Sequence, residues 1–405
     1  MLRSPIRPRV MGAALLAAAC GSTFVRTAPA AAESCANLPN PVFVVGSTAA
    51  KPIIAEVGKI LVAQTPVTTI VYSGQGSCAG VDAILNGTPM QGTGTSGPST
   101  WNLAGNEVRC DIPPTGPPVV ADVGMSDVYA TTCFPLPGGM PSNVGDFLGP
   151  VQTMTFVAPK SSPERSISAE AAYYVYGFGA NSGVNPWTDE AWIFRRDDQS
   201  GTQRMIAAAI GVSPARWKGA VTASSSDMLT KVTVVGTGAQ TIGILSADIA
   251  QENRAVLNIL AYRHFGQSCA YFPDKDASSN EKINVRDGHY AIWGPLHLLT
   301  RLSAIGYPAS AAAGNVIGYM TGTKTPPPGL DPIALEAQLH MIPRCAMRVT
   351  RIQELGPLAS FAPAGACGCY YDKLANGVST CRTCVSSNDC LSTAPICNYG
   401  YCETQ

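Results

Sequence analysis

The sequence predicts an α/β protein of two lobes, each built on a largely parallel sheet. Three stretches carry this reading, and each runs strand, tight turn, helix. They are PVFVVGSTAAKPIIAEVGKIL (41–61), VTTIVYSGQGSCAGVDAIL (67–85) and WIFRRDDQSGTQRMIAAAIG (192–211). In the first, Val42 to Val45 form an unbroken apolar run, as a strand covered on both faces would. Pro52 suits a first helical turn, and Ile53, Val57, Ile60 and Leu61 recur on one helical face. The second and third stretches repeat the logic with Gly/Ser turns.

Between these units the segment VQTMTFVAPK (151–160) reads as a strand that carries the chain from one lobe to the other. TIGILSADIA and HYAIWGPLHLLTRL supply later strand or helix pieces. The expected organisation is a leader (1–32), a first lobe (33–150), a second lobe (151–290), a return to the first (291–365) and a Cys-rich tail (366–405). A Gly/Thr/Ser/Pro-rich stretch at about 87–118, holding Trp101 and Cys110, reads as an inserted surface loop.

Composition narrows the function. Lys+Arg and Asp+Glu are 27 each among 405 residues, and charged residues make up only 13%. No broad basic surface can be built from that, which argues against a nucleic-acid partner. Arg3, Arg7 and Arg9 followed by VMGAALLAAA (10–19) form an export leader, too short to span a bilayer. Two processing sites compete: lipidation at Cys20 after Ala17-Ala18-Ala19, or cleavage after Ala32. Fourteen cysteines agree with an oxidising compartment. Without Cys20 their number is odd, so at least one thiol is expected to be free or paired to another molecule. Seven cysteines crowd the tail, where too few apolar residues exist for a core, and Cys345 is a candidate to join them. All four histidines lie upstream of the tail, so disulfides are preferred over zinc at Cys381-x-x-Cys384.

Three turns place small polar residues at helix starts: Gly46-Ser47-Thr48-Ala49, Gly76-Ser77-Cys78-Ala79-Gly80 and Ser200-Gly201-Thr202. Each offers amide donors, a hydroxyl and the positive end of a helix dipole. Arg196 lies four residues before the last. Converging helix N-termini with one arginine can hold an oxyanion without a nest of lysines.

Here the sequence resembles the periplasmic phosphate-binding proteins that serve ABC importers. The turns GSTA (46–49), GSCAGV (76–81) and RDDQSGT (196–202), with DVGMSD (122–127), match that family's motifs in order. The resemblance covers roughly residues 41–299 and implies a two-lobed periplasmic-binding-protein-like fold with a ligand cleft between the lobes. It implies phosphate contacts from Thr48, the Ala49 amide, Ser77, Asp127, Arg196, Ser200, Gly201 and Thr202, with Asp198 supporting Arg196. Arg195 is expected to point the opposite way along its strand. No cofactor, metal or catalytic residue is implied. The implied partners are inorganic phosphate and an ABC permease, with a membrane met only through a lipid anchor, and the chain is expected to be a monomer. Asp127 would set the preference among anions: hydrogen phosphate can donate its O–H to a carboxylate and sulfate cannot. The difference is on the order of 10²-fold in affinity.

The sequence departs from the family at Ala49, which replaces a frequent phenylalanine, at Cys78, in the 87–118 insertion and in the tail. Two other readings share its residues. One is an envelope phosphate sensor or adhesion protein acting without a permease. The other, an extracellular phosphatase, is disfavoured because neither a Ser/His pairing nor a carboxylate-rich metal motif is visible.

Overall fold

Val42 and Val44 are fully buried on one side of the first strand, and Val45 is buried on the other. A helix covers each face, which explains the unbroken apolar run. The computed structural model describes residues 33–234 and 238–404. The leader, with Cys20 and the position after Ala32, lies outside them.

Strand β1 (Pro41–Gly46) leads to helix α1 (Lys51–Leu61), β2 (Thr69–Gly74) and α2 (Ser77–Leu85). The 87–118 insertion contributes β3 (Ser99–Trp101) and β4 (Glu107–Arg109) before β5 (Val123–Ser126). β1 runs parallel to β2 on one side and to β5 on the other. The chain therefore reverses direction across the sheet at β1, and the register aligns Gly46 with Gly74 and with Met125. The turns after all three strands open at one place, the position where α/β sheets bind ligands.

α1 packs Ile53, Ile54, Val57 and Leu61 against Val42, Val44, Ile70 and Trp101 on one face. α2 packs Val81 and Ile84 against Val45 and Val71 on the other. Burying such side chains contributes about 1.5–3 kcal/mol each.

The insertion is not simply the surface loop its composition suggested. β3 pairs antiparallel with β2, and β4 with β3, so the segment extends the sheet. Trp101 is buried, its ring so close to α1 that a Cβ on Gly58 would lie 2.7 Å from it. The Gly/Pro richness around these short strands masked them. Cys110, at the end of the hairpin, is bonded to Cys35.

The crossing strand is longer than expected. β6 (Val144–Pro159) pairs antiparallel through most of its length with β11 (Trp293–Arg301), which in turn pairs with β5. Its far end pairs with β9 (Gly243–Ser246) and β10 (Leu257–Ile259). Met154, Phe156 and Val157 lie within a second large core. Around it are α3 (Ala169–Phe178), β7 (Phe194–Arg196), α4 (Gly201–Ile210), β8 (Ala220–Thr222), α5 (Ser225–Val234) and α6 (Ala247–Glu252).

The tail is stapled as its cysteine density demands. Cys369–Cys381, Cys384–Cys397 and Cys390–Cys402 lie within it, and Cys345–Cys367 ties it to the preceding segment. The sulfurs of Cys384, Cys390 and Cys402 cluster, but all three belong to disulfides. The free cysteine among the described residues is Cys269, which is exposed.

Gly80 lets α2 rest on the strand ends: a Cβ there would lie 2.7 Å from the Met125 carbonyl oxygen and 2.8 Å from that of Val45. Gly80→Ala is expected to lower the unfolding free energy by about 2 kcal/mol or more. The fall would be read from the urea midpoint; an unchanged midpoint would mean that α2 can lift without penalty.

Candidate functional site

Asp127 follows β5 directly and is almost fully buried. The Ser47 hydroxyl donates to its Oδ2 at 2.6 Å, and the Ser77 hydroxyl donates to the same oxygen at 3.0 Å. The Asp127 amide donates back to Ser77 Oγ at 3.1 Å. Its other oxygen, Oδ1, is buried without a hydrogen-bond partner among the described residues. Burial pushes the Asp127 carboxyl up to about 6, against the pull of Ser47, Ser77, Arg196 and His297. It is an acceptor held in place by one oxygen and open at the other.

Arg196 arrives on β7 and is also buried. Its Nε donates to the Thr222 carbonyl at 3.2 Å and its Nη2 to the Ala223 carbonyl at 3.3 Å. Nη1 donates to the hydroxyls of Thr48, at 3.2 Å, and Ser225, at 3.4 Å. Burial lowers the Arg196 pKa, and the charges of Asp197, Asp127 and Asp227 oppose that shift. Arg196 and Asp127 are thus close enough for each to act on the other's charge. Nε and both N–H groups of Nη1 are engaged, so the second N–H of Nη2 is the one left for a ligand. The Thr48 and Ser225 hydroxyls lie 3.3 Å apart. Each accepts from the arginine and carries a proton of its own, so the pair retains one to donate outward.

The third turn packs directly against the second. α4 begins at Gly201 with Ser200 as its cap, the Ser200 hydroxyl accepting from the Gln203 amide at 3.4 Å. A Cβ on Gly201 would sit 2.2 Å from Ser77 Oγ and 2.7 Å from Asp127 Oδ2, so only glycine permits this approach. The Cys78 amide donates to the Gln199 carbonyl at 3.0 Å, joining the second and third turns by backbone. Thr202 is buried. The first-turn amides of Gly201 and Thr202 have no intrahelical acceptor to satisfy them.

Not every expected contact has the expected form. The Ala49 amide is already engaged, donating to Ser47 Oγ at 3.1 Å, because Ser47 caps its own turn. Asp198 does not hold Arg196: it is exposed in the turn after β7, with its carbonyl bonded to Arg204 Nε at 2.7 Å. The carboxylate nearest Arg196 belongs to Asp197, at 3.8 Å from Nη2. Arg195 faces away from the site, as strand alternation requires, bonding Gly219 and its own neighbour's carbonyl. Cys78 does not distort the turn; it is bonded to Cys133, just beyond Asp127.

Three participants lie outside the expected set. Ser47 orients Asp127, Ser225 shares the arginine, and the Tyr72 hydroxyl donates to the Ser47 carbonyl at 2.5 Å. Ser47 stands within the quoted GSTA turn, and Ser225 opens α5 in a run of three serines. Only the fold shows that these two turns meet.

No protein-family model matches this chain, and no curated protein does. Solved structures do. One is a phosphate ABC transporter substrate-binding protein from Clostridium perfringens with bound phosphate, 13% identical, with a TM-score of 0.50. The alignment covers 75% of this chain and 99% of that one. Another is an ABC-type phosphate transport receptor from Vibrio cholerae, 16% identical over 75% of this chain and 99% of that one, with a TM-score of 0.47. The chain shares its fold with the Clostridium perfringens substrate-binding protein. Identities this low establish architecture, and the ligand must be argued from the side chains.

A carboxyl that titrates near 6 when folded and near 3.8 when unfolded binds its proton more strongly in the native state. Its stabilising contribution is complete below about pH 4 and is lost as pH rises through 6. Asp127→Asn should therefore match the parent at low pH and be more stable above pH 7, by roughly 2–3 kcal/mol in ligand-free protein. Melting curves between about pH 4 and pH 8 measure the gap, and a gap that does not change with pH would contradict this environment for Asp127.

Proposed function

We propose that this chain is an extracytoplasmic solute-binding protein that holds hydrogen phosphate between its lobes and delivers it to an ABC importer. The observation that carries the reading is the buried, unpartnered Oδ1 of Asp127, close enough to Arg196 to feel its charge. A carboxylate cannot face an anion unless a proton lies between them, and hydrogen phosphate brings one. Thr48, Ser225 and Arg196 would hold the charged oxygens, and the amides of Gly201 and Thr202 would supply the helix-terminus donors. Ser77 would act by fixing Asp127 as well as by direct contact, and Ser200 by capping α4.

The surroundings support the reading. Six disulfides among the described residues are what an oxidising compartment produces. No helix among the described residues is long and apolar enough to cross a membrane.

Titration calorimetry with phosphate, arsenate and sulfate tests the proposal. Phosphate and arsenate should bind and sulfate should bind on the order of 10²-fold more weakly. Arg196→Ala should abolish phosphate binding, since a buried charge-assisted contact is lost. Asp127→Asn should narrow the phosphate-over-sulfate preference. Equal affinity for sulfate and phosphate in the unaltered protein would reject the role given to Asp127.

A further inference from the structure

A cleft of about 490 Å³ adjoins the site, and Thr48 and Ser225, the two hydroxyls that share Arg196, form part of its wall. A lone oxyanion enclosed by Asp127, Arg196 and Gly201 has no use for that space. Its volume falls in the range of about 300–1,000 Å³ typical of sites for small organic molecules.

The far wall comes from α1 and from the insertion. Lys51, Ser99 and Arg109 line it. Lys51 Nζ lies 2.9 Å from Glu107 Oε2, and Arg109 Nη2 lies 3.1 Å from Glu107 Oε1. The Ser99 hydroxyl donates to Glu107 Oε1 at 2.6 Å. Two cations thus share one carboxylate, and this wall carries net positive charge. Leu229 and Ile249 give the cleft an apolar patch.

We propose that the ligand of this site is a small phosphate monoester bearing a carboxylate. The phosphoryl group would be held by Asp127 and Arg196, and the ester oxygen would point past Thr48 and Ser225 into the cleft. The carbon chain would lie on Leu229 and Ile249, with its carboxylate against Arg109 and Lys51. The inference rests on the anion site proposed above and keeps its proton logic. A monoester monoanion retains one P–O–H for Asp127 Oδ1, whereas a diester has none to give and is excluded.

The test is titration of the full chain with phosphoglycolate, inorganic phosphate and dimethyl phosphate. The parent is compared with Arg109→Ala, which removes a wall cation, and with Ser226→Phe, which narrows the cleft from the edge of α5. Phosphoglycolate should bind at least as tightly as inorganic phosphate, and dimethyl phosphate should not bind. Each variant should weaken phosphoglycolate by about fivefold or more, the worth of one partly exposed charged contact, while leaving inorganic phosphate within about twofold. Phosphate binding without phosphoglycolate binding would overturn this inference and leave the anion site standing. Phosphoglycolate binding untouched by both variants, or binding of dimethyl phosphate, would also overturn it. Failure of both phosphoglycolate and phosphate to bind would remove the anion site itself.

Discussion

Taking a carboxylate and a guanidinium out of water close to one another is the demand around which this molecule is arranged. Each ion loses hydration worth several kcal/mol, and their mutual attraction repays it only when the remaining donors and acceptors are also met. Arg196 meets that condition through two backbone carbonyls and two hydroxyls. Asp127 meets it at one oxygen only. Under the proposed function the guest supplies the missing donor at Asp127 Oδ1.

The fold supplies this arrangement cheaply. Three parallel strands end in register at Gly46, Gly74 and Met125, so short turns deliver Ser47, Thr48, Ser77 and Asp127 with little freedom to wander. The opposite side comes from β7 and the starts of α4 and α5, which present Arg196, Gly201 and Ser225. Backbone bonding between Cys78 and Gln199 and the tight seat of Gly201 bring the two sides into direct contact. Closure of such a site is the means by which each half completes the other's bonding.

Much of this was legible in the sequence, for definable reasons. Apolar runs and Gly/Ser turns exposed the strand–turn–helix units, because period and turn chemistry are local properties. Thr48, Ser77, Asp127, Arg196 and Gly201 could be singled out because each lies beside a turn with a recognisable pattern. Asp197 and Asp198 could not be told apart, since the direction of a side chain in a turn depends on its tertiary neighbours. Ser225 was missed because nothing local says that the start of α5 meets the end of β1. The β3–β4 hairpin was hidden by short strands in Gly/Pro-rich surroundings, where propensity is weak and pairing with β2 decides the outcome.

The Cys78–Cys133 bond closes a ring of chain that begins at the foot of α2 and ends just after Asp127. The entire 87–118 excursion lies inside that ring, and Cys35–Cys110 ties it down a second time. The segment is thus anchored to the first sheet covalently as well as through β3 and Trp101. A single backbone cut within 87–118 would therefore leave the two pieces joined through Cys78–Cys133.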